Sequence, residues 1–413
     1  MLNVIEGESQ NLDMPIYKDT DKKEPIQRKD WHFRDVVRNL TTNAGAELLN
    51  YARTKENVIS LAQGEGSLPT PDFIIDAATK AMKEGHTKYG PVLGQPALRQ
   101  EIANYYVKHY DINLPTNRIY VTGSGTTAMH LALTAILNEG DEVVAVTPIW
   151  KNLLGAVEIA QGKVIDVPLE DYDGDWHLDL DKLFDAVTPD TQALLIVSPS
   201  NPTGWILPEE DVKRVLDFAR EHDIWIISDE VYTRTTFDTE RAPSFLDYAD
   251  EDDKLFVVNS FSKLWAMTGW RIGWLVGPAK AEKIIRDIAI YDNMGPCTFS
   301  QFGCIEALRH GEDFVEMQRD LWRDNRDYVM RRLEGNNRIH MNAPQATFYG
   351  FLKIEGVDDC VEFCRDLIDG ANLSLSPGSA FGKSCKGYLR ICYGVEREVL
   401  DEALDRLEAF VNK

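Results

Sequence analysis

Positive charge is scarce in this chain. It carries 44 Lys and Arg against 67 Asp and Glu, a formal net charge of -23. That balance argues against nucleic acid as a partner, because phosphates demand a basic face. It argues equally against an anionic membrane surface. Long apolar runs are missing too, and none reaches the roughly 18–20 residues of a membrane span. The first 25 residues are polar and acidic and lack the apolar core of a signal peptide, so a cytoplasmic protein is expected. Cysteine is sparse: six, at 297, 304, 360, 364, 385 and 392, with no disulfide-scaffold pattern. Cys360 and Cys364 lie four apart on an expected helix. No His or Cys pair at finger spacing completes them, so buried thiols are expected and no metal. Internal repeats and low-complexity tracts are absent.

What is present suits a globular enzyme. Of 413 residues, 44% are hydrophobic, enough to bury a full core. Residues 1–35 are charged and poor in apolar side chains and read as an arm. Beyond residue 60, apolar strand-like runs alternate with helix-like ones. The strand-like runs are RIYVTG (118–123), EVVAVT (142–147), ALLIVS (193–198), WIISDE (225–230), LFVVNS (255–260) and WLVG (274–277). Continuous apolar strands between amphipathic helices imply an α/β fold with a mostly parallel sheet covered on both faces. A long charged helix is expected over about 312–334, closed by a Gly stop. Shorter β-like pieces, FYGFLKI and YLRICYG, and a last helix then form a smaller α+β domain. The expected organisation is an arm over 1–35, a small domain from 36–60 and 305–413, and a large domain over 61–304.

In such sheets ligands gather at the carboxyl ends of the strands, and each chemically suggestive segment falls at such an end. Lys263 follows LFVVNS and lies among Phe261, Leu264 and Trp265, with Arg271 nearby. Apolar surroundings and a second cation lower a lysine's pKa and make it a useful nucleophile. Thr122-Gly-Ser-Gly-Thr126-Thr127 stands where a strand gives way to a helix, a natural anion site. Ser260, Ser262 and the fork of Arg271 complete a phosphate cup. Asp229, at the end of an apolar strand, suits a protonated ring nitrogen. Asn201 and Tyr232 are placed to donate to a ring oxygen, and Trp150 to stack on a ring face. Arg390, flanked by apolar residues in YLRICYG, suits a substrate carboxylate. The loop Gln63-Gly64-Glu65-Gly66 brings backbone N–H groups to the same place. Asn201-Pro202 is expected to be cis.

In order along the chain, LAQGEG, TKYGPVLGQPALR, VTGSGTT, TPIW, SPSNPTG, SDEVY, SFSKLWAMTGWRIGW and YLRICYG resemble the class I/II aminotransferases of pyridoxal-phosphate fold type I. The resemblance runs from about residue 58 to the C-terminus. It implies a seven-stranded-type sheet, pyridoxal 5′-phosphate as cofactor, and ping-pong transamination between an L-amino acid and a 2-oxo acid. It implies that Lys263 holds the cofactor as a Schiff base and shuttles a proton, that Asp229 pairs with the pyridine nitrogen, and that Asn201 and Tyr232 contact the ring oxygen. Ser124, Gly125, Thr126, Ser260, Ser262 and Arg271 would hold the phosphate, and Arg390 the substrate carboxylate, beside Gly64, Asn201 and Trp150. Tyr89 would reach the cofactor of a neighbouring subunit, which implies a homodimer with shared active sites. Two departures bear on the substrate. The chain reads GEGSL (64–68) where many relatives read GEPDF, and Thr126 stands near where some aspartate-preferring relatives carry a lysine. A β-lyase or synthase on the same scaffold remains the alternative at this point.

Overall fold

Seven strands lie side by side in the larger sheet of the computed structural model, which describes residues 33–38, 40 and 44–412. The strands are β1 (Ile119–Thr122), β2 (Glu142–Thr147), β3 (Lys163–Pro168), β4 (Thr191–Val197), β5 (Trp225–Asp229), β6 (Leu255–Ser260) and β7 (Gly273–Val276). Their order across the sheet is β1-β7-β6-β5-β4-β2-β3. The pairings β2–β3, β2–β4, β4–β5 and β5–β6 are parallel, while β7 runs antiparallel to both its neighbours. Six strands therefore point one way and β7 the other.

Burial on both faces explains why these strands read as unbroken apolar runs. Every residue of β1, β6 and β7 is buried. The exception, β3, has the sequence KVIDVP and sits at an edge, with only Val167 of its six residues buried. An edge strand tolerates Lys163, Asp166 and a terminal Pro168, which a central strand would not.

A second, antiparallel sheet contains β8 (Ile339–Met341), β9 (Tyr349–Ile354), β10 (Ser376–Pro377) and β11 (Tyr388–Cys392), in the order β8-β9-β11-β10. Its core includes Leu352, Leu389 and Ile391 and side chains from the helices Ala44–Ala52, Glu312–Leu333, Cys360–Ala371 and Arg397–Val411. The helix Glu312–Leu333 begins with Glu312 and Asp313 and ends with Arg331 and Arg332, the charge order that its dipole favours. Gly335, at φ +74°, turns the chain away just beyond it. Cys360 and Cys364 are buried thiols of this core.

Apart from residues 33–35, the expected arm lies outside the described residues, and Asp35–Arg38 form one helical turn. The cis prolines are Pro148, after Thr147, and Pro199, after Ser198. The expected cis bond at Asn201-Pro202 is therefore corrected: the cis bond of that loop falls three residues earlier, and Asn201-Pro202 is trans.

Candidate active site

The parallel direction of six strands delivers the suggestive side chains to one edge. Asp229 ends β5, Asn201 follows β4, Trp150 follows β2, Gly125 follows β1 and Lys263 follows β6. Because β7 is reversed, its start lies at that same edge, and Arg271 just precedes it. One chain segment, 260–273, thus carries Lys263 and Arg271 between two neighbouring strands.

These residues line one cavity of ≈ 480 Å³. Of the side chains singled out from sequence, Gly64, Gly125, Thr126, Trp150, Asn201, Asp229, Tyr232, Ser260, Ser262, Lys263, Arg271 and Arg390 all border it. Two do not. Ser124 is buried, and its Oγ accepts the Thr127 N–H at 3.0 Å. It is the N-cap of the helix Gly125–Ile136, and its Oγ also shares a hydrogen bond with Thr127 Oγ1 at 3.0 Å. Tyr89 is 86% exposed and lies off the cavity of its own chain.

One wall is rich in donors. The helix Gly125–Ile136 opens into the cavity with Gly125 and Thr126, whose N–H groups have no partner within the helix. Beside it the Ser260 hydroxyl donates to Ser262 Oγ at 2.9 Å and accepts the Ser262 N–H at 3.1 Å. Arg271 adopts left-handed backbone, φ +54°, and its Nη1 donates to Thr268 O at 2.6 Å. The wall closes because Gly273 lacks a side chain. A Cβ there would fall 2.5 Å from Gly125 N and 2.6 Å from Ser124 C.

Lys263 faces this wall, partly exposed to the cavity, and donates from Nζ to Gly64 O at 2.6 Å. Burial, then the charge of Arg390, lowers its pKa to about 8. The Phe348 ring centroid lies 5.9 Å from Nζ. Asp229 is buried and accepts the Val231 N–H at 3.2 Å. Burial raises its carboxyl to about 6, against the opposing pull of that hydrogen bond and of Lys263. Tyr232 and Tyr349 share a hydrogen bond at 3.0 Å between their hydroxyls. Burial pushes the Tyr232 phenol well above its usual range, so it stays a donor.

Arg390 is buried on β11. Its Nη1 donates to Asn201 Oδ1 at 2.9 Å and its Nη2 to Ala62 O at 2.5 Å. Its guanidinium lies 4.5 Å from the Tyr349 ring centroid and 4.9 Å from that of Phe381. Its Nε has no hydrogen-bond partner among the described residues.

Sequence reasoning missed several lining residues. Tyr349 faces the cavity beneath Gly64, where a Cβ would meet its hydroxyl oxygen at 2.3 Å. Only the pairing of Tyr349 with Cys392, two residues from Arg390, brings it there, and no local motif marks that register. In the 63–66 loop, named for its backbone alone, the Glu65 carboxylate accepts from Thr268 and Gln63 and ties the loop to the Lys263 segment. The helix Ala44–Ala52 supplies Gly45, Ala46 and Leu49 at the mouth, residues without any chemical signature.

The donor set suits an anionic, aromatic ligand carrying a carbonyl group. It has an anion-binding helix start with two hydroxyls and a guanidinium, a buried carboxylate, ring-oxygen donors and an amine of lowered pKa. Comparison with known proteins points the same way. The family model described as aminotransferase class I and II matches residues 56–407. An aspartate aminotransferase of Pyrococcus abyssi is 36% identical over 88% of this chain and 94% of its own length. Aromatic-amino-acid aminotransferase 2 of Thermococcus litoralis is 35% identical over 88% of this chain and 94% of its own. Among solved structures, an aspartate aminotransferase of Thermotoga maritima superposes with TM-score 0.86 at 29% identity, covering 92% of this chain and 100% of that one.

Proposed function

The chain belongs to the class I and II aminotransferases, and from that premise we propose that its cavity holds pyridoxal 5′-phosphate and moves an amino group from an L-amino acid to a 2-oxo acid. The observation that carries the reading is the convergence on one cavity of Lys263, Asp229, Arg390 and the donor wall. When bound, the cofactor supplies an aldehyde for amine capture and an electron-withdrawing pyridine ring.

The chain's own groups do the rest. Ser124, Gly125, Thr126, Ser260, Ser262 and Arg271 take the phosphate. Asp229, whose ionised form is costly without a cation beside it, keeps a proton on the ring nitrogen. Asn201 and Tyr232 direct donors to the ring oxygen, and Trp150 covers a ring face. Lys263, with its pKa lowered to about 8, holds an appreciable neutral fraction near physiological pH. It can therefore take the proton from the substrate α-carbon and return it elsewhere. Arg390 binds the α-carboxylate, the one anionic group that every amino-acid substrate shares.

Aspartate and aromatic side chains both appear in the names of relatives. Thr126 in place of a lysine leaves the distal preference to a panel of donors and acceptors. We further read the chain as one subunit of a homodimer in which exposed Tyr89 reaches the partner's phosphate. A large domain over 61–304 and a small domain from 36–60 and 305–413 are part of the same reading, supported by two sheets with separate cores.

The test is Lys263→Ala with that panel. We expect loss of the visible absorbance of the lysine-bound cofactor and a fall in turnover of more than about a hundredfold with every donor. Turnover close to the parent's overturns the reading.

A further inference from the structure

A hairpin that the proposed chemistry does not use, Glu170–Tyr172 with Asp175–His177, leaves the larger sheet just after β3. Its turn is Asp173-Gly174, with φ +54° and +81°, the two positive values a type I′ hairpin turn requires. An isolated two-stranded hairpin is marginal in water, so its geometry is fixed by what it touches.

What it touches is the strand that carries Arg390. Asp171 accepts from the Tyr388 hydroxyl at 2.6 Å and from Asn342 Nδ2 at 2.8 Å. Trp176 packs on the rings of Tyr388 and Phe351, with centroids 5.6 and 6.0 Å away. Tyr388 and Arg390 are two apart on β11 and so share a face of the sheet. Phe351 is paired with Arg390 across the β9–β11 ladder. Phe351 stacks on Tyr388 at 4.8 Å and meets Phe381 edge-on at 6.0 Å. Phe381 in turn lies against the Arg390 guanidinium. The arginine keeps two hydrogen bonds and an unpartnered Nε, so the rings around it carry much of its orientation.

We propose that the hairpin is a positioning element for the substrate carboxylate, with Asp171 and Trp176 setting the direction of Arg390 through Tyr388, Phe351 and Phe381. The inference rests on the reading of Arg390 as the carboxylate site. Neither Asp171 nor Trp176 lines the cavity, so neither touches substrate. Their influence is on how well the carboxylate is held, and it falls on KM for the amino donor.

The test compares Asp171→Ala, Trp176→Ala and Arg390→Ala in the cofactor-loaded protein. Asp171→Ala and Trp176→Ala should each raise KM about three- to tenfold, the size of one lost hydrogen bond or packing contact. The turnover number should stay within about twofold, the pattern of a lost ground-state contact. Visible cofactor absorbance should be unchanged, and hydrogen exchange over residues 388–392 should quicken. Asp171→Asn keeps a carbonyl acceptor for the Tyr388 hydroxyl and should recover most of the KM. Asp171→Ala added to Arg390→Ala should raise KM no further. If Trp176→Ala fails to fold, Tyr388→Phe takes its place, with the same rise expected. Unchanged KM in Asp171→Ala and its companion, with a raised KM in Arg390→Ala, overturns the inference and leaves the proposed function standing. Unchanged KM in Arg390→Ala removes the carboxylate assignment itself, and the inference falls with it.

Discussion

Asp229 shows how much one buried side chain can say. Sequence marks it as an acid at the end of an apolar strand, and the structure surrounds it so that burial raises its carboxyl to about 6. Its native pKa lies above the unfolded value, so the native state holds this proton more tightly. The stability it contributes is full below about pH 4 and is lost as pH climbs through about 6. Asp229→Asn should remove that loss in the cofactor-free protein. Relative to the parent, the variant should gain on the order of 2–3 kcal/mol at pH 7 and show no such gain at pH 4. Urea unfolding of both proteins across this range checks it, and a constant difference with pH contradicts it. The same substitution should nearly abolish turnover, so stability and activity move in opposite directions. Lys263 behaves in the mirrored sense. Capture of added cofactor by the free protein should speed up as pH rises through about 8, where its amine becomes neutral. Stopped-flow absorbance across that range follows it directly.

At the scale of the element, legibility followed burial. Strands β2 and β6 match the apolar runs 142–147 and 255–260 residue for residue, because both faces are covered and apolar character is unbroken. The edge strand β3 left no such run, because Lys163 and Asp166 interrupt its apolar residues. The site divided along similar lines. Residues at strand ends, such as Asp229 and Lys263, could be read from the run before them. Tyr349 could not, since its place depends on the register between β9 and β11. Ser124 could be read as a hydroxyl at a strand-to-helix turn, but not as the N-cap whose Oγ accepts the Thr127 N–H. The meeting of β7 with the helix start at Gly125 was also invisible in sequence, and it yields a sharp prediction. Gly273→Ala places a methyl 2.5 Å from backbone that cannot rotate aside. It should cost about 1–3 kcal/mol of stability and weaken cofactor retention, measured by thermal unfolding and by dialysis against cofactor-free buffer. Retention equal to the parent's contradicts the close fit of wall and anion site.

For the molecule as a whole, the formal charge of -23 contrasts with a cavity bordered by Arg53, Lys151, Lys263, Arg271 and Arg390. Cationic side chains inside an acidic surface draw small anions inward while the exterior repels large ones. The proposed dimer belongs to this scale. If Tyr89 serves the partner's phosphate, Tyr89→Phe should weaken cofactor retention severalfold without changing the sedimentation coefficient. A monomeric parent in the same run contradicts the shared site.

The one-way direction of six strands has a further use. Their amino ends, with turns such as 188–190 and 250–253, lie at the edge away from every residue of the cavity. Glu251, exposed in the second of these turns, is a natural anchor for tethering the protein to a solid support. A molecule fixed there presents its open mouth to the flowing solution, so the reverse edge of the sheet doubles as a handle.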